Sequence, residues 1–344
     1  MPAEWEPHQA TWIAWPHNPS DWPGRFQPIP WVYAEIIRHL SRVEHVHILV
    51  NDSASRARAQ KVLKQAGLAC TTISFHLWPT DRVWTRDSGA IFLRNERDGK
   101  IGATDWRFNA WAKYSDWKRD NLIAAKMAAE AHAEVWQPIA DVRGKPTRIV
   151  LEGGSIDVNG SGTLLTTEEC LLSEIQQRNP GVTRRGIEQA FTDYLGARHV
   201  IWLKRGIAGD DTHGHVDDIA RFVAPDTVVA ANEENRNDDN YLPLQENLEI
   251  LRNSKTQDGT PPNVVTIPMP EPIIFKGQRL PASYANFYIA NGLVLVPTFN
   301  DANDKVALNT LSSLFPDRKV VGIHCGDFIW GLGAIHCMTQ QQPE

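Results

Sequence analysis

Cysteine is scarce. The 344 residues carry four, at positions 70, 170, 325 and 337, and no two form a Cys-x-x-Cys pair. That spacing excludes a zinc knuckle and a disulfide framework, and it suggests reduced thiols. Positive charge is not in excess either. Lys plus Arg is 35 against 41 Asp plus Glu, a net charge of −6, with no basic stripe. Nucleic acid and anionic membranes are therefore excluded as main partners, and a small cationic ligand fits better. No apolar run is long enough to cross a bilayer. The opening Met-Pro-Ala-Glu-Trp-Glu-Pro has no basic stretch leading into an apolar one, so no secretory signal is expected. The sequence reads as cytoplasmic. It also lacks a composition break: 22 Pro and 23 Gly are spread throughout. One domain over 1–344 is expected. The composition is equally compatible with a monomer and a homo-oligomer.

Tryptophan is what the chain has in abundance. There are 13, against 6 Tyr, and ten fall between Trp5 and Trp117. Around them, helical and strand patterns alternate. Apolar periodicity predicts helices at 31–42, 53–66, 117–134, 183–195, 240–252 and 302–315. Strands are expected at 45–50, 199–203, 263–268 and 319–323, each after a helix.

Hairpins organise the rest. Asn291-Gly292 between two apolar runs is a strong turn signal, because both residues tolerate positive φ. Further hairpins are read at 89–106, 149–167 and 215–231. A fifth strand pair would join the chain ends, 10–16 with 334–340. Most hairpins precede a helix and a strand, so the repeating unit is ββαβ, in five copies of poor mutual identity. The predicted fold is α/β, a five-bladed pseudosymmetric propeller built from ββαβ units and closed by its own termini.

Four polar clusters stand out. Asp210-Asp-Thr-His-Gly-His-Val-Asp217 is the densest. In an extended strand Asp211, His213, His215 and Asp217 would share one face. An acid–base site is one reading. A metal hydrolase built on His213, His215 and Asp217 is another, but no partner motif such as His-Glu-x-x-His accompanies it. The second cluster is Trp84-Thr-Arg-Asp87, where Asp87 alone would pass for a turn residue. The third is Leu151-Glu152-Gly-Gly-Ser155, whose glycines suggest close backbone approach. The fourth is Gly331-Leu-Gly-Ala-Ile-His-Cys337. Cys337 alone among the cysteines follows a glycine-rich turn and has a His beside it. Cys70, Cys170 and Cys325 read as small buried hydrophobes.

Position joins these clusters. Asp87, Glu152, His215 with Asp217, and Cys337 each fall near the start of the first strand of a unit. Equivalent positions in a pseudosymmetric ring meet at its axis. A thiol, an imidazole and several carboxylates meeting there suit attack on a planar cation. The acids hold the cation, the thiolate attacks its carbon, and the His moves protons.

These segments resemble the bacterial (Porphyromonas-type) peptidyl-arginine deiminase family of the guanidine-modifying pentein superfamily, and within it the agmatine deiminases. The resemblance runs from Met1-Pro-Ala-Glu-Trp-Glu-Pro-His8 through Asp105-Trp-Arg-Phe-Asn-Ala-Trp111, Thr166-Thr-Glu-Glu-Cys-Leu-Leu172, Gly214-His-Val-Asp217 and Ala282-Ser-Tyr-Ala-Asn-Phe-Tyr to Ile335-His-Cys-Met-Thr-Gln-Gln-Gln-Pro343. It implies a five-bladed propeller with no metal and no cofactor. It implies Cys337 as nucleophile, His215 as general acid and base, and Asp87 and Asp217 as holders of the guanidinium. The implied reaction hydrolyses agmatine to N-carbamoylputrescine and ammonia through a covalent thiouronium on Cys337, a step in putrescine synthesis. Free or peptidyl arginine is the alternative substrate. Trp84 is placed to stack on the cation. Trp111, Glu152 and Asp211 complete the expected substrate contacts, and the other eleven tryptophans are read as packing. Arg86 and Arg221 would weaken the preference for agmatine if they entered the pocket. Where the family commonly reads Asn, this chain has His213, either a partner of His215 or a polar neighbour.

Overall fold

The computed structural model describes residues 1–68 and 70–344. Five sheets share one pattern: an antiparallel pair whose second strand takes a parallel third. Ile91–Arg94 pairs with Ile101–Thr104, which takes Glu134–Trp136. Asp157–Val158 pairs with Thr163–Thr167, which takes His199–Leu203. Ala220–Ala224 pairs with Thr227–Asn232, which takes Asn263–Pro268. Tyr288–Ala290 pairs with Leu293–Thr298, which takes Lys319–His324. The fifth sheet joins the ends of the chain. Gln340–Pro343 lies antiparallel to His8–Ala14, with Trp12 opposite Gln340. His8–Ala14 then takes His45–Leu49, and this sheet alone adds a fourth strand, Ile73–His76.

A helix links the second and third strands of each unit, as a parallel crossover requires. Ile29–Leu40 shows why such a segment is helical. Its buried residues Ile29, Tyr33, Ile36, Ile37 and Leu40 recur at helical spacing, and Pro30 sits at its start where no N–H is needed. Ser53–Gln65 is capped by Asp52, whose carboxylate accepts from the Ser55 N–H at 2.6 Å. No helix among the described residues is long and apolar enough to cross a membrane.

Several expectations shift. The closing strand is 340–343, and residues 334–339 form the turn before it. The helix expected over 117–134 spans only Ile123–Glu130. Asp120 anchors the preceding loop by accepting backbone N–H bonds from Asp81 and Arg82. The 149–158 segment is strand only at Asp157–Val158, because Gly153–Ser155 coils into a helical turn. Among the tryptophans read as packing, Trp12 and Trp22 are fully buried, but Trp31 and Trp136 are 48% and 40% exposed. The side chain of Cys70 lies outside the described residues.

Each of these changes in the strand pattern moves the same boundary. A short turn precedes the first strand of every unit: Thr85–Ser88, Gly153–Ser155, Val216–Asp218, the loop 282–287, and 334–339. A strand would send alternate side chains to opposite faces. A turn can send its polar side chain inward.

Candidate active site

Asp87 and Trp84 come from the first turn. Asp87 is buried. Its Oδ2 accepts from Trp111 Nε1 at 2.9 Å, and its Oδ1 from the Gly154 N–H at 3.1 Å. Trp111 is held by three consecutive residues, Ala110 to Ala112, at φ of 50°, 58° and 53°. Such backbone is costly away from glycine and persists where its surroundings fix it.

His215 stands inside a ring of acids. Its Nδ1 is 3.8 Å from Asp87 and 4.0 Å from Asp217, and its Nε2 is 3.7 Å from Glu152. Burial disfavours its charged form, but the Asp87 carboxylate, Cys170 and Glu152 outweigh that and raise its pKa well above the ordinary value. Asp87 is pushed up to about 6, by burial above all, with His215 pulling against it. Gly154 makes this packing feasible. A Cβ there would lie 2.6 Å from His215 Nδ1, 2.9 Å from Asp87 Oδ1 and 3.0 Å from Asp217 Oδ2.

Cys337 is buried with its Sγ 3.7 Å from Asp217 Oδ2. Burial and then Asp217, Asp218 and Asp87 hold its thiol pKa well above the usual range. Asp217 is held as a carboxylate: burial opposes this, and the hydrogen bond from His336 and the charges of His336 and His215 overcome it. Asp218 goes the other way, because burial beside Asp217 raises it.

A cavity of about 350 Å³ opens onto these groups. Trp84, Asp87, Trp111, Asp211 and Cys337 line it. Gly333 lets the indole of Trp84 approach, since a Cβ there would meet that ring at 2.8 Å. His215 and Asp217 are buried immediately behind this lining, His215 3.8 Å from Asp87 and Asp217 3.7 Å from Cys337 Sγ. A larger cavity of about 480 Å³ near Met1 and Arg198 contains none of these side chains.

Two expected contacts are placed differently. Glu152 does not line the cavity. It is buried behind His215, paired with Arg178 at 3.1 Å, and that guanidinium lowers its pKa despite burial. His213 is turned away because its φ of 62° and the 94° of Gly214 break the extended alternation. Its Nε2 lies 3.2 Å from Ser173 Oγ and its Nδ1 3.9 Å from Glu169. The set His213, His215 and Asp217 therefore does not assemble. Two buried groups do bring possible metal-ligand atoms within 4.8 Å of one another: Glu152 with Cys170 and His215, and Asp217 with Asp218 and Cys337.

Asp211 stands at the mouth, bonded to Lys113 at 2.5 Å and to Tyr114 at 2.6 Å. Arg86 and Arg221 stay out of the cavity. Arg86 binds Gln341 and Glu4, and Arg221 binds Asp157 and Glu4. Arg82 does line it, paired with Asp21 at 3.2 Å and Asp116 at 3.1 Å.

Sequence reasoning misses five contributors. Glu4, Cys170, Asp218, Asn286 and His336 all touch this group. Asn286 has a signal, since it fills the pre-strand turn of the one unit left without a site residue.

Five like units delivering a thiol, an imidazole and acids to one buried chamber define a mixed α/β protein with a cysteine-centred site. The model of the Porphyromonas-type peptidyl-arginine deiminase family matches residues 1–343. The chain belongs to that family. It is 38% identical over 348 residues to a putative agmatine deiminase of Legionella pneumophila, covering 100% of this chain and 94% of that one. It is 35% identical over 367 residues to the agmatine deiminase of Pseudomonas aeruginosa, covering 100% and 95%. The structure of the agmatine deiminase of Enterococcus faecalis superposes with a TM-score of 0.90 at 32% identity, covering 100% and 95%.

Proposed function

We propose that this protein is an agmatine deiminase that hydrolyses agmatine to N-carbamoylputrescine and ammonia, in putrescine synthesis. The observation that carries the reading is the placement of Cys337 Sγ 3.7 Å from the Asp217 carboxylate at the floor of a cavity walled by Trp84, Trp111 and Asp87. A planar cation fits such a floor, because Asp87 and Asp217 can each accept its N–H groups. Its positive charge offsets the carboxylates that keep the thiol protonated, so binding favours the thiolate.

The thiolate attacks the guanidinium carbon, and His215 protonates the departing nitrogen, which leaves as ammonia. An alkylthiouronium remains on Cys337. His215, now neutral, takes a proton from water, whose oxygen adds to the same carbon. The C–S bond then breaks with its electron pair returning to sulfur as the thiolate, the second proton of the water is released to solvent, and the product leaves with a neutral ureido group. Glu152 and Arg178 hold His215 from behind. Trp84 stacks beside the cation, and Asp211 faces the distal end of the substrate.

The preference for agmatine over arginine rests on charge at the mouth. Arg82, the cation in its lining, and Lys113 at its mouth are already paired with acids. That leaves little to receive an α-carboxylate, while an ammonium meets Asp211 and Asp21. We read the fold as one five-bladed α/β propeller domain over 1–344, supported by five like units and the pairing of the chain ends. Cytoplasmic location goes with this reading.

The test is ammonia release from agmatine, arginine and a peptidyl arginine, by wild type and Cys337→Ser. Agmatine should give the highest kcat/KM, and C337S should release none. Full activity in C337S would overturn the reading.

A further inference from the structure

Four of the five pre-strand turns supply residues already given roles. The remaining one, 282–287, supplies Asn286, which is fully buried. Its Nδ2 lies 3.1 Å from Cys337 Sγ and 2.9 Å from Asp218 Oδ1. Its Oδ1 accepts from the backbone N–H of His336 at 2.9 Å and, more weakly, from that of Cys337 at 3.4 Å. These contacts use every hydrogen-bonding position the amide has.

The orientation of the amide follows from its partners. Two backbone N–H groups face one end, and only an oxygen can accept them. The NH₂ must therefore face the sulfur and the acid. An NH₂ group only donates, so the sulfur is the acceptor in this contact. A sulfur that accepts is favoured as a thiolate, which is the more basic acceptor.

The surroundings make that donor valuable. Asp217 and Asp218 face the thiol from one turn and Asp87 faces it from another, all of them acids. His336 adjoins it in sequence, but both ring nitrogens of His336 point at the carboxylates of Asp217 and Glu4. His215 lies against Asp87, Asp217 and Glu152. The amide of Asn286 is the side-chain N–H donor on Sγ among the described residues. The loop carrying it is fixed in turn, with Ser283 Oγ bonding the Asp218 carbonyl at 2.8 Å and the backbone carbonyl of Asn286 accepting the His336 N–H at 3.2 Å.

We infer that Asn286 is the hydrogen-bond donor that stabilises the Cys337 thiolate and fixes the direction of its attack. The inference rests on the reading of Cys337 as nucleophile. It gives the fourth unit a part in the chemistry.

The test is the rate of Cys337 alkylation by iodoacetamide, followed at the Cys337 peptide as a function of pH in the full-length, substrate-free protein. Asn286→Asp keeps an oxygen for the two backbone N–H groups and removes the donor to sulfur. Its alkylation midpoint should move up by about one pH unit or more, and kcat for agmatine should fall about 10- to 100-fold with KM changed far less. If N286D does not fold, as judged by circular dichroism, Asn286→Ser gives the same readouts, since its hydroxyl is too short to reach Sγ. A midpoint and kcat equal to wild type in the folded variant would overturn the inference. Activity retained by C337S would instead overturn the reading beneath it, and the alkylation profile would still report on the amide.

Discussion

The imidazole of His336 bridges two acids: its Nδ1 lies 2.6 Å from Asp217 Oδ2 and its Nε2 lies 2.8 Å from Glu4 Oε2. A carboxylate only accepts, so the ring faces each acid as a hydrogen-bond donor. Both acids are held ionised. Burial opposes this at each, but Arg221 and His336 prevail at Glu4, and His336 prevails at Asp217. Glu4 also binds Arg86 at 3.2 Å and the Ile289 N–H at 2.8 Å. The fourth residue of the chain thereby reaches the floor of the site through one ring.

Replacing that ring tests its role. His336→Phe keeps the volume and removes both donors. Asp217 then loses the partner that holds it as a carboxylate, so its pKa rises. Guanidinium binding requires the charged form, so KM for agmatine should rise about 10- to 100-fold near pH 7. The loss should shrink as the pH is raised and Asp217 ionises again. A KM equal to wild type across the range from about pH 6 to about pH 9 would show that the bridge does not govern Asp217.

Gly154→Ala tests the packing behind His215. The added Cβ would sit within 3.0 Å of His215, Asp87 and Asp217, closer than real contacts allow. The backbone itself is unstrained, because Gly154 is not among the glycines at positive φ. We expect a folded protein with kcat reduced about 100-fold, since displacement of reacting groups by about 1 Å carries that cost. Thermal unfolding with steady-state kinetics checks both parts.

The repeat is legible in the sequence because crossover helices and turns leave local signals. Asn291-Gly292 makes the expected turn, with Gly292 alone of the pair at positive φ, 63°. Cys337, Asp87 and His215 are legible as polar residues at equivalent places in the repeat. The rest depends on backbone that breaks the strand pattern. His213 leaves the expected face through two successive residues at positive φ, His213 itself and Gly214. Glu152 points backward because Arg178, far along the chain, draws it there. Asn286 sits in a run of aromatic and aliphatic residues that reads as one buried strand, so its place in the repeat is the one signal it leaves, and the fold puts its amide against a sulfur 51 residues away. Cys170 reads as a small buried hydrophobe. It is buried, yet its sulfur falls within 4.8 Å of His215 and Glu152.

Asp87 predicts a pH limb. Its pKa of about 6 means the carboxylate forms as the pH rises through 6. The kcat/KM for agmatine should therefore fall below pH 6 and level off above it. The sign for stability is opposite. The folded protein binds this proton more tightly than the unfolded chain between about pH 4 and 6. Over that window the contribution of Asp87 to stability decreases as the pH rises. Asp87→Asn should remove this decrease, giving higher stability at pH 7 while kcat/KM drops by about 100-fold or more. A less stable D87N protein at pH 7 would contradict the burial argument.

The mouth of the cavity predicts how the distal ammonium is sensed. Asp211 is engaged by Lys113 and Tyr114, and Asp21 by Arg82, so each acid is paired on one side. An incoming ammonium adds a second cation to acids already held in place, which limits the ordering cost of binding it. Asp211→Asn should raise KM for agmatine about 5- to 20-fold, in the range of a charge-assisted hydrogen bond at a largely buried site. For a butylguanidine, which has the same chain without the ammonium, the same substitution should change KM less than about twofold. Comparing the two substrates separates recognition of the tail from general damage to the pocket. Equal losses on both would mean that Asp211 acts by holding Lys113 and Tyr114 in place, and that the tail is read elsewhere.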